Sequence, residues 1–278
     1  MEESQNTAVD LSDMIVGFIG GGNMAQSIIK GLLRENVFRP EQFIISAPSD
    51  RNLKKCRDLG LGVTRSNTEV ADSSSFFFLA CKPYHMVDVM AEIESLVGRG
   101  RLVIPISVGT PVEMFEKGLP NAHVIRVMPS LPNEVAAGIA AYTSSSKATP
   151  DDKAIVEAIF KPLGVCEEVK ESMLDITAQL GGAACAWHAM IIEALADGAV
   201  KMGLPRDLAN KLAPQSMLGA AKLIVETGIH PAQVKDNVTS PGGTTIRGVH
   251  IMEQRGVRGA MMDAVEGAVL YAREIAKQ

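Results

Sequence analysis

The sequence predicts an α/β protein, a doubly wound sheet followed by an all-helical domain, and three observations carry that reading. An apolar run, Met14–Ile19, stops at Gly20-Gly21-Gly22 and turns into a helical pattern. Short apolar runs then alternate with helical patterns as far as Val169, and from about Glu171 onward no strand pattern returns. The divisions that follow are a disordered tail over 1–13, a Rossmann-type dinucleotide-binding domain over 14–170, and an all-α C-terminal domain over 171–278.

The glycine cluster is the first element to justify. Gly20 and Gly22 take the first two places of a G-x-G-x-x-G/A fingerprint, and Ala25 takes the third, where a small residue lets helix and strand pack closely. A dinucleotide pyrophosphate must approach bare backbone N–H groups at a helix N-terminus, and a Cβ at either glycine would obstruct the turn or the approach. Ala25, Ile28, Ile29, Leu32 and Leu33 then recur on one helical face. The alternative is a tight strand-to-helix turn without a ligand.

The remaining elements follow in order. The tail is acidic and without period, hence disordered and dispensable. Phe43–Ser46 reads as a second strand and Asn52–Leu59 as a helix ending at Gly60. An NAD enzyme places a carboxylate at the end of that strand to accept from the ribose 2′-hydroxyl, whereas this chain has Ser46, with Ser49 and Arg51 close behind. That set suits a 2′-phosphate, so NADPH is preferred and NADH is the lesser cofactor; otherwise Arg51 points to solvent from a helix start. Ser66-Asn67-Thr68-Glu69 has the form of a capping box, which puts Asn67 in a helix's first turn. Phe76–Ala80 reads as a buried central strand whose carboxyl edge carries Cys81-Lys82-Pro83, with Lys82 either facing a ligand or solvated in its loop. A helix over Met86–Leu96, a strand over Leu102–Val108 and a helix over Val112–Gly118 come next. Strands at His123–Val127 and Ile139–Thr143 flank the rigid loop Met128–Pro132. Thr149, Pro150, Asp151 and Asp152 open a helix that runs to Leu163, and Val165–Val169 is the last strand.

In the helical half, Met173–Met202 carries few charges, namely Asp175, Glu193, Asp197 and Lys201, and reads as a helix buried nearly all round. Too little other chain remains to cover it, which predicts an interlocked homodimer; the alternative is a core helix within one chain. Val238–Thr245 is a second glycine loop with a helix behind it. Gly242 and Gly243 bare the backbone of Ser240, Thr244 and Thr245 to a small anion such as a substrate carboxylate, unless the segment is a helix linker with a Thr cap.

Composition excludes several classes. With 278 residues, 46% hydrophobic content and a net charge of -5, the chain has room for two domains and no basic stripe for nucleic acid. Cys56, Cys81, Cys166 and Cys185 lie far apart without metal-ligand spacing, so no metal site and no disulfide framework is expected. Glu2, Glu3, Asp10 and Asp13, without Lys or Arg among them, are unlike a signal or transit peptide, and a cytoplasmic location follows. The apolar run Ala183–Ala196 is too short to span a bilayer, so no membrane partner is expected.

Four segments together resemble the Δ1-pyrroline-5-carboxylate reductase family, namely Phe18–Ala25, Ala80–Pro83, Glu193–Gly203 and Thr239–Thr245, while Ala47–Leu53 and Pro129–Pro132 look closest to its cytosolic animal branch. The resemblance covers nearly everything after the tail. It implies reduction of a cyclic imine to L-proline with NADPH or NADH. It implies that Gly20, Gly21, Gly22, Asn23, Met24, Ser46, Pro48, Ser49, Asn67, Ala80, Cys81, Lys82, Pro83, Ile106, Ser107 and Val108 line the cofactor, with Asn237 on the nicotinamide side. The substrate carboxylate would rest on Ser240, Gly242, Gly243 and Thr244, with the Thr245 hydroxyl at the ring nitrogen as the catalytic group. It further implies a homodimer through the C-terminal helices, with dimers assembling into rings.

The chain departs from the family where a Ser-Gly-Ser-Gly-Pro-like stretch usually opens the long helix. Here stand Gly181, Gly182, Ala183, Ala184 and Cys185, then Trp187, and Ser130 replaces a usual Asn. Two alternatives follow: a reductase for a related cyclic imine carboxylate, or a catalytically weak NADPH-binding paralogue.

Overall fold

The computed structural model describes residues 9–98 and 100–275. Among them, contacts separate two units: residues up to Gly182 together with the segment from Val269, and Ala183–Ala268.

The first unit runs β1 (Val16–Ile19), α1 (Asn23–Arg34), β2 (Phe43–Ser46), α2 (Asp50–Arg57), β3 (Gly62–Thr64), α3 (Asn67–Ser73), β4 (Phe76–Leu79) and α4 (Met86–Ile93). It continues with β5 (Leu102–Pro105), α5 (Val112–Gly118), β6 (His123–Met128), β7 (Gly138–Ser144), α6 (Pro150–Phe160), β8 (Gly164–Glu168) and α7 (Glu171–Ala178). The strands form one sheet in the order β3-β2-β1-β4-β5-β6-β7-β8. Every pairing is parallel except β6 with β7. The order reverses between β1 and β4, which opens a crevice at their carboxyl ends.

Strand residues alternate between two covered faces, as a doubly wound sheet requires. Phe76 and Phe78 pack with Phe18, with Ile28, Ile29 and Leu32 of α1, and with Phe160 of α6. Phe77 and Leu79 face the other way, onto Val70 of α3, Met90 and Ile93 of α4, and Phe115 of α5. Phe18 and Phe78 stack at 4.4 Å between ring centroids, and each buried Phe contributes about 1.5–3 kcal/mol. Thr149 caps α6, as the sequence predicts, and Asp152 completes the cap in return, its carboxylate accepting from the Thr149 N–H at 2.7 Å.

Three details differ from expectation. The three-residue strand β3 was not anticipated, being too short for a periodic signal. β5 ends at Pro105 rather than Val108: Ile106 makes a last bond to β4, its N–H donating to the Leu79 carbonyl at 3.1 Å, and the chain then turns through Ser107–Thr110. Of the predicted tail, residues 1–8 lie outside the described residues, while Val9–Asp13 is tied down. Leu11 is buried, and the Gln42 amide donates to the carbonyls of Leu11, Ser12 and Met14 at 3.0, 3.0 and 2.9 Å.

A single π-helical turn, Gln179–Ala183, separates α7 from α8 (Ala184–Lys201), where one helix over Met173–Met202 was expected. Gly181 and Gly182 lie in that turn, and glycine resists regular α-helix. α9 (Arg206–Thr227), α10 (Pro231–Asn237), α11 (Thr244–Gln254) and α12 (Val257–Ile275) complete the chain. In the helical unit α8 and α9 meet at Ala196, Ala209 and Ala213, and Arg206 pairs with Asp197 at 2.7 Å. Among its described residues the buried hydrophobics are alanines alone. Met190, Leu218, Val225 and Met262 are 68%, 57%, 80% and 71% exposed. The helix expected to be buried nearly all round is therefore not buried by its own chain, and the reading as an intramolecular core helix fails. Taken as one stretch of 31 residues, Glu171–Lys201 is long and apolar enough by length and composition to cross a membrane, with 11% of its most apolar window buried. Ala183–Ala196, too short by itself, belongs to this longer stretch. A helix face covered by a second subunit has the same composition.

Candidate active site

At the crevice between β1 and β4, Gly20 is held from both sides. Its N–H donates to the Ser46 carbonyl at 2.9 Å, and the Ala80 N–H donates to the neighbouring Ile19 carbonyl at 2.8 Å. Gly20 has φ +113, and a Cβ there would lie 2.6 Å from the carbonyl group of Ala80. Gly22 differs. It is the N-cap of α1 with no side-chain cap, and a Cβ on it would meet nothing within 4 Å. The space before an uncapped helix N-terminus is thus open at the place where the fingerprint puts a pyrophosphate, and these residues fit a dinucleotide. Gln26, buried, fixes the turn by donating to the Gly21 carbonyl at 2.7 Å.

Beside this turn lies a cavity of about 240 Å³. Five predicted residues line it, namely Gly20, Ser46, Pro48, Asn67 and Cys81. The Ser46 hydroxyl donates to Asn67 Oδ1 at 2.7 Å, and Asn67 Nδ2 donates to Glu92 Oε2 at 2.8 Å. Ser66 meanwhile caps α3, accepting from the Glu69 N–H at 3.0 Å, so Asn67 both opens a helix and bridges β2 to α4. Burial pushes the Cys81 thiol up to about 11, which keeps it neutral and unreactive at ordinary pH. Arg65, His85, Asp88, Val89 and Glu92 also line the cavity and were missed. Arg65 follows the unanticipated β3, and His85 to Glu92 sit on or just before α4, where the sequence predicts a helix without a site. An Arg directly before a capping box was the one signal available.

Other predicted residues lie outside that lining. Arg51 is exposed on α2, one residue past its start. Lys82 is exposed before a 3₁₀ turn that begins at Pro83. Ile106 is buried, Val108 is 48% exposed, and the Ser107 carbonyl accepts from the buried Arg126 at 3.4 Å.

In the helical unit, α10 ends at Asn237, whose side chain accepts from Gln233 at 2.8 Å. The second loop then turns at Gly242, φ +68, and closes as Gly243 donates to the Ser240 carbonyl at 3.0 Å. The N-cap of α11 is Gly243, without a side-chain bond, so the linker alternative with a Thr cap is not what forms. Thr244 and Thr245 stand exposed in the first turn, and the uncapped backbone is free to meet an anion.

Family models described as pyrroline-5-carboxylate reductase dimerisation and as NADP oxidoreductase, coenzyme F420-dependent, match residues 171–275 and 15–109. Pyrroline-5-carboxylate reductase 3 of Bos taurus is 40% identical, covering 94% of this chain and 85% of its own. Pyrroline-5-carboxylate reductase of a Synechocystis strain is 41% identical over 95% of this chain and 98% of its own. The chain belongs to the pyrroline-5-carboxylate reductase family. Solved structures agree. The reductase of Coxiella burnetii has a TM-score of 0.86 at 31% identity, covering 95% of this chain and 99% of that one. The pyrroline carboxylate reductase of Plasmodium falciparum, solved with NADP bound, has a TM-score of 0.86 at 28% identity, covering 96% and 100%. The dimerisation match begins where α7 begins, and it accounts for helices whose apolar sides their own chain leaves bare.

Against the family pattern, the altered stretch falls in the π turn and the start of α8. A Cβ on Gly181 would lie 3.1 Å from Ile139 Cβ and 3.7 Å from Ser130 Cβ. Ser130 itself is buried, accepts from the Ile139 N–H at 2.8 Å and donates its own N–H to Asn133 at 2.7 Å.

Proposed function

We propose that this member of the pyrroline-5-carboxylate reductase family reduces Δ1-pyrroline-5-carboxylate to L-proline, with NADPH preferred and NADH serving less well. The observation that carries the reading is the open space before the uncapped α1, behind Gly22, in a chain of this family. Bound NADPH supplies the hydride, at nicotinamide C4.

Gly20, Gly21, Gly22, Asn23 and Met24 line the pyrophosphate, which meets the backbone N–H groups at the start of α1, the Gly20 N–H being held by the Ser46 carbonyl. Ser46, Pro48, Ser49, Arg51 and Asn67 take the adenosine end; Ala80–Pro83 and Ile106–Val108 line the rest, and Asn237 serves the nicotinamide side. Ser240, Gly242, Gly243 and Thr244 receive the substrate carboxylate, and the Thr245 hydroxyl stands at the ring nitrogen. A protonated imine is already electrophilic, so these residues need only fix distance and orientation, and no acid–base pair is required. The bare apolar helices support a homodimer, with dimers assembling into rings. Four free cysteines suit a reducing compartment such as the cytoplasm.

A second reading, reduction of a related cyclic imine carboxylate, draws on Gly181, where a Cβ would press on Ile139 and lie beside Ser130. One experiment separates the readings: rates of NADPH and NADH oxidation with the five-membered and six-membered imine carboxylates, for the unaltered protein and for Thr245→Ala. Brisk proline formation that falls about 10- to 100-fold on substitution supports the main reading. Faster turnover of the larger ring supports the second, and cofactor binding without turnover of either leaves a weak paralogue.

A further inference from the structure

The cavity beside Gly20 has one arginine in its wall that the assignment above leaves idle. Arg65 follows β3 and lines the cavity with Pro48 and Asn67. Its Nη1 donates to the Pro48 carbonyl at 3.5 Å, and its Nη2 lies 2.9 Å from Asp50 Oδ1. Asp88, Glu92 and His85 share the wall, and among the described residues Arg65 is the only Lys or Arg in the lining.

We propose that Arg65, rather than Arg51, recognises the 2′-phosphate of the cofactor and sets the preference for NADPH over NADH. This rests on the NADPH reading above and deepens it by naming the discriminating residue. The position is the right one: Arg65 reaches Pro48, in the turn that leaves β2, where the adenosine ribose lies in a doubly wound fold. The chemistry is also right. A guanidinium fork donates two parallel bonds to a phosphate, and its present partner, Asp50, is easily exchanged because both side chains are mostly exposed, 64% and 72%. Ser49, between Pro48 and Asp50, makes no capping bond with its side chain, so its hydroxyl is available to the same phosphate. With NADH the pair with Asp50 simply persists, since a 2′-hydroxyl does not compete for the guanidinium. Arg51 starts from an exposed site on α2 outside the lining.

The test is calorimetric titration of the full-length protein with NADP⁺ and with NAD⁺, for the unaltered chain, Arg65→Gln, Arg65→Lys and Arg51→Gln, with steady-state KM for NADPH and NADH alongside. Arg65→Gln should raise Kd for NADP⁺ about 20-fold while Kd for NAD⁺ moves less than about three-fold. Arg65→Lys keeps the charge without the fork and should recover part of the loss, and Arg51→Gln should weaken NADP⁺ less than Arg65→Gln does. A misfolded variant would weaken both dinucleotides together. A Kd ratio that Arg65→Gln leaves within about two-fold of the unaltered chain, or an Arg51→Gln effect as large, overturns the proposal while the NADPH reading stands. An unaltered chain that binds NAD⁺ as tightly as NADP⁺ removes the NADPH reading, and this assignment with it.

Discussion

The two glycine loops are alike in sequence and unlike in their surroundings. Gly20 is wedged where β1 meets β2 and β4, so that a Cβ would strike the Ala80 carbonyl group at 2.6 Å. Gly242 has the same sign of φ, +68, yet a Cβ there would meet nothing within 4 Å, and Ser240, Thr244 and Thr245 are exposed. The units repeat the contrast. The sheet unit buries Phe18, Phe76, Phe77 and Phe78 on two faces, while the described helical unit buries nothing larger than alanine. A sheet closed by its own helices completes a cradle within one chain, whereas helices that keep their large apolar side chains outside leave completion to a second copy.

The sharpest way to break this comparison is to add one methyl to each loop. Gly20→Ala meets both a forbidden φ and a backbone clash; it should destabilise the fold by about 2–4 kcal/mol and abolish dinucleotide binding. Gly22→Ala, at φ -74 with open space ahead, should change unfolding free energy by less than about 0.5 kcal/mol, yet weaken NADPH at least about 10-fold by filling the cradle. Gly242→Ala carries the φ strain without the clash and should lose about 1 kcal/mol. Urea unfolding with parallel NADPH titration reads all three. If Gly20→Ala proves as stable as Gly22→Ala, the first loop is no more enclosed than the second.

A charge on the bare helices comes next in size. Met190 on α8 and Leu218 on α9 are exposed, so Met190→Glu or Leu218→Glu should leave the chain folded, with unchanged far-ultraviolet circular dichroism. The same substitutions should shift sedimentation from dimer or larger toward monomer, because burying a carboxylate in an apolar interface is strongly unfavourable. Unchanged sedimentation for both variants would mean that some other surface joins the subunits.

Much of the sheet unit was legible because its physics is local. Continuous apolar strands, a glycine fingerprint and the Thr149–Asp152 cap each carry a signal within a few residues. What escaped has non-local causes. β3 exists because Ile44, Ile45 and Ser46 offer it an edge to pair with, and with β3 unseen Arg65 had no visible place at the crevice. Asn67 was legible as a helix opener, yet its bridge from Ser46 to Glu92 joins three elements distant in sequence. In the helical half the apolar composition foretold a partner, whereas the break at Gln179–Ala183 falls at Gly181, where a side chain would crowd Ile139, a neighbour distant in sequence. Arg51 stands exposed on α2 outside the cavity lining, a placement that its position in the sequence does not reveal.

The smallest expected effect concerns alkaline pH, and it too separates the units. Burial pushes the Cys81 thiol up to about 11 and the Cys166 thiol up to about 12 from the ordinary 9.0. Tyr142 is raised as well, first by burial and then by its hydrogen bond to Glu157. All three groups belong to the sheet unit. The sign follows from proton counting. An unfolded chain gives up its thiol protons near pH 9, while the folded sheet keeps them, so above that point the unfolded state binds fewer protons and is favoured as pH rises. Stability should therefore be level in this respect below about pH 9 and fall between about 9 and 12. Cys166→Ala removes one of these groups and should flatten the fall in urea midpoint with pH, whatever its effect on stability at neutral pH. An unchanged slope would mean that β8 does not hold this thiol away from water, and the sheet edge would then be as open as the helices.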